Sequence, residues 1–522
     1  MSENKRLLKA TGIISSGTFL SRIFGFIRDM VIANIFGAGF ATDAFFVAFK
    51  IPNLLRRLLG EGALSAAFIP LFTEYFTTKS KEDAWKFASA VFSTLLVILS
   101  VITILGIVFM PAIITVLAPG FYHELHKFNL TVYLTRITFP YIFLISLTAL
   151  SMGILNSLRH FTVPAMSPVL LNLALIGAAF FICPYLKIPI SGLAIGVIIG
   201  GLLQFIFHIP PLIKSGMKFT PDFSFSHPGV KKVVLLMAPS VIGLAVTQFN
   251  IFIDTLIASL LVEGSISYLY YADRVMQLPL GVFGTAIGTA ILPTLSSYAA
   301  KRDMEGMRDT LSFGLRFTFF IAIPAMTAQI VLSLPIVSLL FERGEFTHQA
   351  AINTSQALIA FSIGLWAYSG IKVIAPAYYS VQDTKTPVRI AVISMVANVI
   401  FNLILMYPLK HAGIALATSL SAMLNLSLLI YYLPDSIRRI NWYSVKNSII
   451  KISLSSAVMG GICYLAISNQ PSVVSHGVGR LIWFSFTILT GLIVYFGMAV
   501  AIKCEEMRFL IDTVKSKLRS KP

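Results

Sequence analysis

The chain has 522 residues, 57% of them hydrophobic and only 12% charged, with 40 Lys and Arg against 22 Asp and Glu and a formal net charge of +18. Average soluble domains carry roughly 25% charged residues, so a mean hydropathy of +0.84, sustained along the whole length, excludes an ordinary soluble enzyme and reads as a polytopic membrane protein. At about 20 residues per spanning helix no room is left for an extramembranous catalytic domain, and basic residues spread between apolar runs exclude a nucleic-acid binder.

The apolar runs, read against turn and charge signals, predict fourteen helices: 10–36, 43–75, 87–117, 130–157, 163–183, 189–212, 231–260, 266–298, 310–340, 350–380, 387–407, 412–433, 446–467 and 479–502. The first follows a basic start (Lys5, Arg6, Lys9), but Arg22 and Arg28 interrupt it and no small-residue cleavage pattern follows, so it reads as a span and not a signal peptide. Gly37-x-Gly39 follows no strand and reads as the turn after it. Pro52, Pro140, Pro239, Pro279, Pro324 and Pro376 lie inside spans, where they can kink helices. Gly60, Gly62, Gly281, Gly284 and Gly288 let the second and eighth helices bend, or equally pack closely against neighbours. Cys183, Cys463 and Cys504 lack metal-like spacing and read as inert core thiols; no HExxH, P-loop or Ser-His-Asp pattern appears. Counting basic residues in the first turn of a span (Lys231, Lys232, Arg389, Lys446, Arg480) with the connection before it, 25 Lys and Arg fall on the side of both termini and five (Lys127, Lys187, Arg343, Lys410, Arg480) on the other. The positive-inside rule therefore places both termini in the cytoplasm.

The chain also repeats itself. Arg28–Ala33 (RDMVIA) echoes Ile253–Ala258 (IDTLIA), Pro70 matches Pro293, Pro111 matches Pro335, and Ser157–Pro164 matches Ser380–Pro387, at offsets of 225, 223, 224 and 223 residues. A six-helix unit repeated with the same topology predicts two parallel lobes, 1–225 and 226–436, with two further helices over 437–502 and a basic cytoplasmic tail, 503–522. A substrate site is expected between the lobes.

A Lys, Arg or Asp at a helix centre costs about 2.5–3.5 kcal/mol on insertion scales. The first two helices carry Arg22, Arg28, Asp29, Asp43, Lys50, Arg56, Arg57 and Glu61, and later ones Asp254, Asp273, Arg274 and Lys372, so these are expected to face a wet cavity or one another. Asp43, Lys50, Arg57 and Glu61 step by 7, 7 and 4 along one helical stripe, and Arg22 and Asp29 share a face. Seven of the twelve are basic and five of those are arginines, whose planar fork suits phosphate oxygens, so an anionic, phosphorylated cargo is expected. Internal pairing, as of Arg28 with Asp29, is the competing reading. Asp254, Asn398, Asn402 and Thr418 form a smaller oxygen-rich set suited to a monovalent cation, or to a proton on the Asp. Ordinary interhelical hydrogen bonds fit that set as well.

Three blocks resemble a known family: Ser21–Pro70 (SRIFGFIRDMVIANIFGAGFATDAFFVAFKIPNLLRRLLGEGALSAAFIP), Tyr270–Pro293 (YYADRVMQLPLGVFGTAIGTAILP) and Lys372–Ile390 (KVIAPAYYSVQDTKTPVRI) are similar to the MurJ, or MviN, family of bacterial lipid II flippases. The resemblance implies a transporter and not an enzyme, of the multidrug/oligosaccharidyl-lipid/polysaccharide exporter fold, in the bacterial inner membrane. Its cargo would be lipid II, an undecaprenyl pyrophosphate bearing a disaccharide-pentapeptide, carried outward by alternating access for peptidoglycan synthesis. Arg22, Arg28 and Arg274 would hold the head group, Asp43, Arg56, Arg57, Glu61, Asp273 and Lys372 would line the cavity, and the last two helices would form a groove for the polyprenyl tail. Gln277 stands where some relatives carry Glu. The energy source would be Na+, H+ or the membrane potential, and the partners lipid II, membrane lipids and other cell-wall synthesis proteins, with no nucleic acid. A flippase for another polyprenyl-linked glycan is the main alternative; a cation-coupled multidrug antiporter would need a more acidic cavity.

Overall fold

The computed structural model describes residues 3–56, 64–217, 220, 222, 227–281, 285–470 and 477–519, and every regular element among them is helical. Nine helical segments among the described residues are long and apolar enough to cross a membrane. The chain forms two compact units, Met1–Ser267 with Arg343–Phe346, and Tyr268–Glu342 with Thr347–Pro522.

The first unit holds α1 (Glu3–Phe36), α2 (Phe40–Leu55), α3 (Ser65–Thr78), α4 (Lys81–Val108), α5 (Met110–Leu117), a 3-10 turn (Pro119–His123), α6 (Leu125–Thr138), α7 (Tyr141–Ser157), α8 (Thr162–Phe181), α9 (Ser191–Lys214) and α10 (Pro228–Ser259). Gly37 ends α1 at φ +65°, a left-handed conformation that only Gly adopts freely, so the expected turn lies where the sequence places it. Ser80 caps α4 by accepting the Asp83 amide at 3.0 Å. Pro140 has no amide to donate, and the single predicted span over 130–157 divides there into α6 and α7. Small residues bring helices together: a Cβ added to Gly17 would stand 2.7 Å from Ala165, and one added to Gly196 would stand 2.6 Å from Ala178. Hence α8 lies close against both α1 and α9. Phe68, Phe72 and Phe87 stack with ring centres 5.4–5.5 Å apart in a core that α10 completes with Val230 and Val233. This unit therefore extends past residue 225, where the sequence repeat starts its second copy.

The second unit holds most of α11 (Ser265–Pro279), then α12 (Thr285–Lys301), α13 (Met304–Val331), α14 (Ser333–Phe341), α15 (His348–Ser362), α16 (Leu365–Ser380), α17 (Lys385–Tyr431), α18 (Asp435–Arg438), α19 (Trp442–Ser468), α20 (Gly477–Ala501) and α21 (Glu505–Arg519). The two helices predicted over 387–433 run together as α17 across a kink at Lys410 (φ 49°, ψ −130°). The tail read from sequence as a basic extension is folded, as α21, from Glu505 to Arg519.

The period seen in the sequence recurs in the helices. α4, α5, α6 and α8 begin at Lys81, Met110, Leu125 and Thr162; α13, α14, α15 and α17 begin at Met304, Ser333, His348 and Lys385, each 223 residues later. The turns agree in detail: Arg159 and Gln382 are both left-handed (φ 61° and 62°). The amides that follow them bond back five residues, His160 to Leu155 at 2.8 Å and Asp383 to Tyr378 at 3.0 Å, the same C-terminal cap twice over.

Candidate functional site

Within the first unit the close approach of α8 to α1 decides the setting of Arg28. Gly25 leaves room for Asn172, which accepts from Arg28 Nη1 at 3.0 Å and donates to the Ser21 carbonyl at 3.1 Å. Arg28 also donates from Nε and Nη2 to Asp29 Oδ1 at 3.0 and 2.6 Å, and both residues are buried. This is the internal pairing weighed above, joined by an asparagine that the charge pattern did not single out. Its signal was present, since an amide inside the apolar run of α8 needs a buried partner. Arg22, on the same helix, is exposed.

Asp43 is 1% exposed and saturated. It accepts from Lys127 Nζ at 3.0 Å, from the Gly264 amide at 2.8 Å, and from the Ser267 amide and hydroxyl at 2.9 and 2.7 Å. Gly264 and Ser267 flank the start of α11, whose first amides have no partner within the helix, so the carboxylate caps that helix from another element and gains from its dipole. Lys127, assigned from sequence to a connection, is 3% exposed in α6, with its ammonium 4.5 Å from the Phe121 ring centre. Glu263 adds a second tie by accepting the Phe40 amide at 2.6 Å. The stripe that the spacing predicted is thus part clasp: Asp43 is bound into the fold, while Lys50, two turns on, is half-buried and donates to Thr255 Oγ1. Arg56, half-buried, donates to Asn53 Oδ1 at 2.9 Å. Arg57 and Glu61 lie outside the described residues. Asp254 on α10 is half-buried and belongs to this unit.

In the second unit α11 carries Asp273 and Arg274, both half-buried. Arg274 lies over the Tyr270 ring, 4.9 Å from its centre, and donates from Nη2 to the Tyr270 hydroxyl at 3.1 Å. The ring one turn earlier fixes the guanidinium plane. Gln277 donates to Asp273 Oδ2, so an amide does here what a second carboxylate could not do without a proton. Gln329 holds α11 from behind by donating to the Val275 carbonyl at 3.0 Å, and Ser362 holds Gln329 at 3.0 Å. Lys372 is exposed on α16, and its carbonyl would stand 2.6 Å from a Cβ added to Gly288, so that glycine sets the approach of α12.

Asn398 and Asn402 are fully buried on α17, and Asn402 Nδ2 donates to Asn398 Oδ1 at 3.0 Å. A cation at this pair would compete with that bond. Thr418 donates to the Ile414 carbonyl at 2.9 Å, an intrahelical bond. These three residues belong to the second unit and Asp254 to the first.

Residues 32–485 match the protein family described as lipid II flippase MurJ. The chain belongs to the MurJ family. It is similar to the probable lipid II flippase MurJ of Vibrio cholerae serotype O1, at 40% identity over 95% of each chain. It is also similar to the lipid II flippase MurJ of Burkholderia cenocepacia, at 41% identity over 81% of this chain and 83% of that one. A solved structure described as lipid II flippase MurJ in an inward closed conformation superposes with a TM-score of 0.79 at 33% identity, covering 95% of this chain and 99% of that one. An inward-facing multidrug transporter of the MATE family shares the fold, with a TM-score of 0.66 at 13% identity over 82% of this chain and 96% of that one. Family membership makes this chain a transporter and not an enzyme, embedded by multiple spans in the bacterial inner membrane.

Proposed function

We infer that this chain is a flippase that carries lipid II, the undecaprenyl-pyrophosphate-linked peptidoglycan precursor, from the cytoplasmic to the periplasmic leaflet for cell-wall synthesis. Membership of the MurJ family along nearly its whole length carries the reading, and the arginine excess on α1, α2 and α11 fits a diphosphate head group. Alternating access is the mechanism: two parallel repeats rock about a central cavity lined by Arg22, Arg28, Asp29, Asp43, Lys50, Arg56, Arg57, Glu61, Asp273, Arg274 and Lys372. On this reading the chain crosses the membrane fourteen times with both termini cytoplasmic, and the helices of 437–502 hold the polyprenyl tail. Arg22 takes the pyrophosphate first, because its side chain is exposed while Arg28 is committed to Asp29 and Asn172; Arg274, held over the Tyr270 ring, follows. Arg28 joins once that cluster opens. Release of the cargo is driven by the membrane potential or by a cation or proton at Asp254, with Asn398, Asn402 and Thr418 as neutral oxygens.

The test is complementation of a bacterium depleted of its own lipid II flippase, scoring lipid II accessible from outside. The intact chain restores exposure; Arg22→Ala and Arg274→Ala, at equal membrane abundance, do not. An abundant intact chain that restores nothing points instead to another polyprenyl-linked glycan.

A further inference from the structure

The cargo reading leaves α21 without a task. Only Ile502, Lys503 and Cys504 separate it from α20. That link is a tight cap: Lys503 is left-handed (φ 54°), the Cys504 amide bonds to the Ala499 carbonyl at 2.9 Å, and Lys451 Nζ holds the Lys503 carbonyl at 3.1 Å. α21 therefore begins at the level where the last span ends.

Its acidic start is stapled to the protein. Glu506 is 2% exposed, accepts from the Ser448 hydroxyl at 2.9 Å and pairs with Arg316 at 3.6 Å. Arg316 also binds Glu505, and Phe509 meets Phe313 edge-on at 4.9 Å. With both glutamates next to Arg316, the rest of the helix is basic: Arg508, Lys515, Lys517 and Arg519, followed by Lys521, against Asp512 alone.

At about 100° per residue the helix has two working flanks. Glu506 and Leu510 face the protein, with Leu510 packed on the core of the second unit. The other flank carries Ile511, half-buried, with Arg508 and Lys515 along one side of it and Asp512 beyond them, all three exposed. An apolar side chain beside a net-positive row, set where a span meets water, is the chemistry of a helix lying in an anionic lipid interface.

We propose that α21 is a lipid-binding site: it lies on the bilayer surface with Ile511 in the headgroup boundary and with Arg508 and Lys515 on the phosphates of anionic phospholipids. With Arg508 and Lys515 against Asp512, and with Lys503 close by in the chain, that flank is net positive, which is the complement of an anionic leaflet and not of a zwitterionic one. The proposal does not depend on which cargo is carried.

The test uses the full chain in nanodiscs of phosphatidylcholine alone or with phosphatidylglycerol. The three native thiols are buried, so a membrane-impermeant maleimide reads an introduced one. Each basic residue near an anionic surface contributes about fivefold in binding. Ile511→Cys is therefore expected to label about fivefold or more slowly in the anionic discs, Ser516→Cys on the opposite flank to label equally in both, and Arg508→Gln with Lys515→Gln to abolish the difference. Equal rates for Ile511→Cys in the two discs overturn the proposal. So does protection that survives the two Gln substitutions, which would mean that protein and not lipid covers the flank.

Discussion

Arg22 and Arg28 sit on one helix and meet opposite fates. Arg28 spends its donors on Asp29 and Asn172 in the interior, while Arg22 keeps its fork exposed. Arg28→Ala leaves the Asp29 carboxylate buried without its cation, which costs about 3–5 kcal/mol, so the purified protein is expected to melt at a clearly lower temperature. Arg22→Ala and Arg274→Ala are expected to abolish lipid II exposure with melting unchanged. A fall in melting temperature for those two would assign them to the fold instead. Asp43→Ala strands Lys127 in the same way, at about 3–5 kcal/mol, and Asp43→Asn combined with Lys127→Met is expected to recover part of the loss. Asp43 keeps helical step with Lys50, and that much was legible in the sequence. Helical period reports a shared face, but not the lysine 84 positions away that meets the carboxylate.

Helix ends were legible wherever local chemistry sets them. Gly37 stops α1 by a mechanism that needs only the residue itself, Pro140, read from sequence as a kink inside one span, divides it into α6 and α7, and the turns at Arg159 and Gln382 follow from the repeat. α21 was not legible as a folded element, because its charge invites the reading of a solvated tail and its anchors, Arg316 and Ser448, come from distant helices. The start of α17 offers a test at this scale. Asp383 accepts the Thr386 amide at 3.0 Å, and that bond, with Arg389 nearby as a lesser cause, holds its pKa below the ordinary carboxylate value. A depressed acid contributes stability that is complete above its unfolded pKa of about 3.9 and is lost as the pH falls through its lower folded value. Asp383→Ala is expected to cost about 0.5–2 kcal/mol at neutral pH, and the gap between the two proteins to close below about pH 4. A gap that persists at acid pH would mean that packing, and not the charged cap, was lost.

For the molecule as a whole, the ties from Asp43 and Glu263 join α2 to the turn before α11. On the alternating-access reading those two elements come from different copies of the repeat, so the clasp opens in every cycle. A Cβ at Gly39 would stand 3.1 Å from the Glu263 carboxylate. Gly39→Cys with Glu263→Cys, bridged by a short cleavable cross-linker, is therefore expected to stop lipid II exposure, and cleavage to restore it. Undiminished exposure in fully bridged protein would sink the claim that this contact opens.

The place of α10 matters before the protein ever moves a lipid. It opens the second copy of the repeat, yet Val230 and Val233 close the aromatic core built by Phe68, Phe72 and Phe87, and Gly229 lies against Phe87. A chain leaving the ribosome therefore has a first unit that stays open along that face until α10 has been translated and inserted. A gene cut at the repeat boundary would yield one half with an uncovered aromatic surface and another with a spare helix to cover it, a pair suited to finding each other in the membrane.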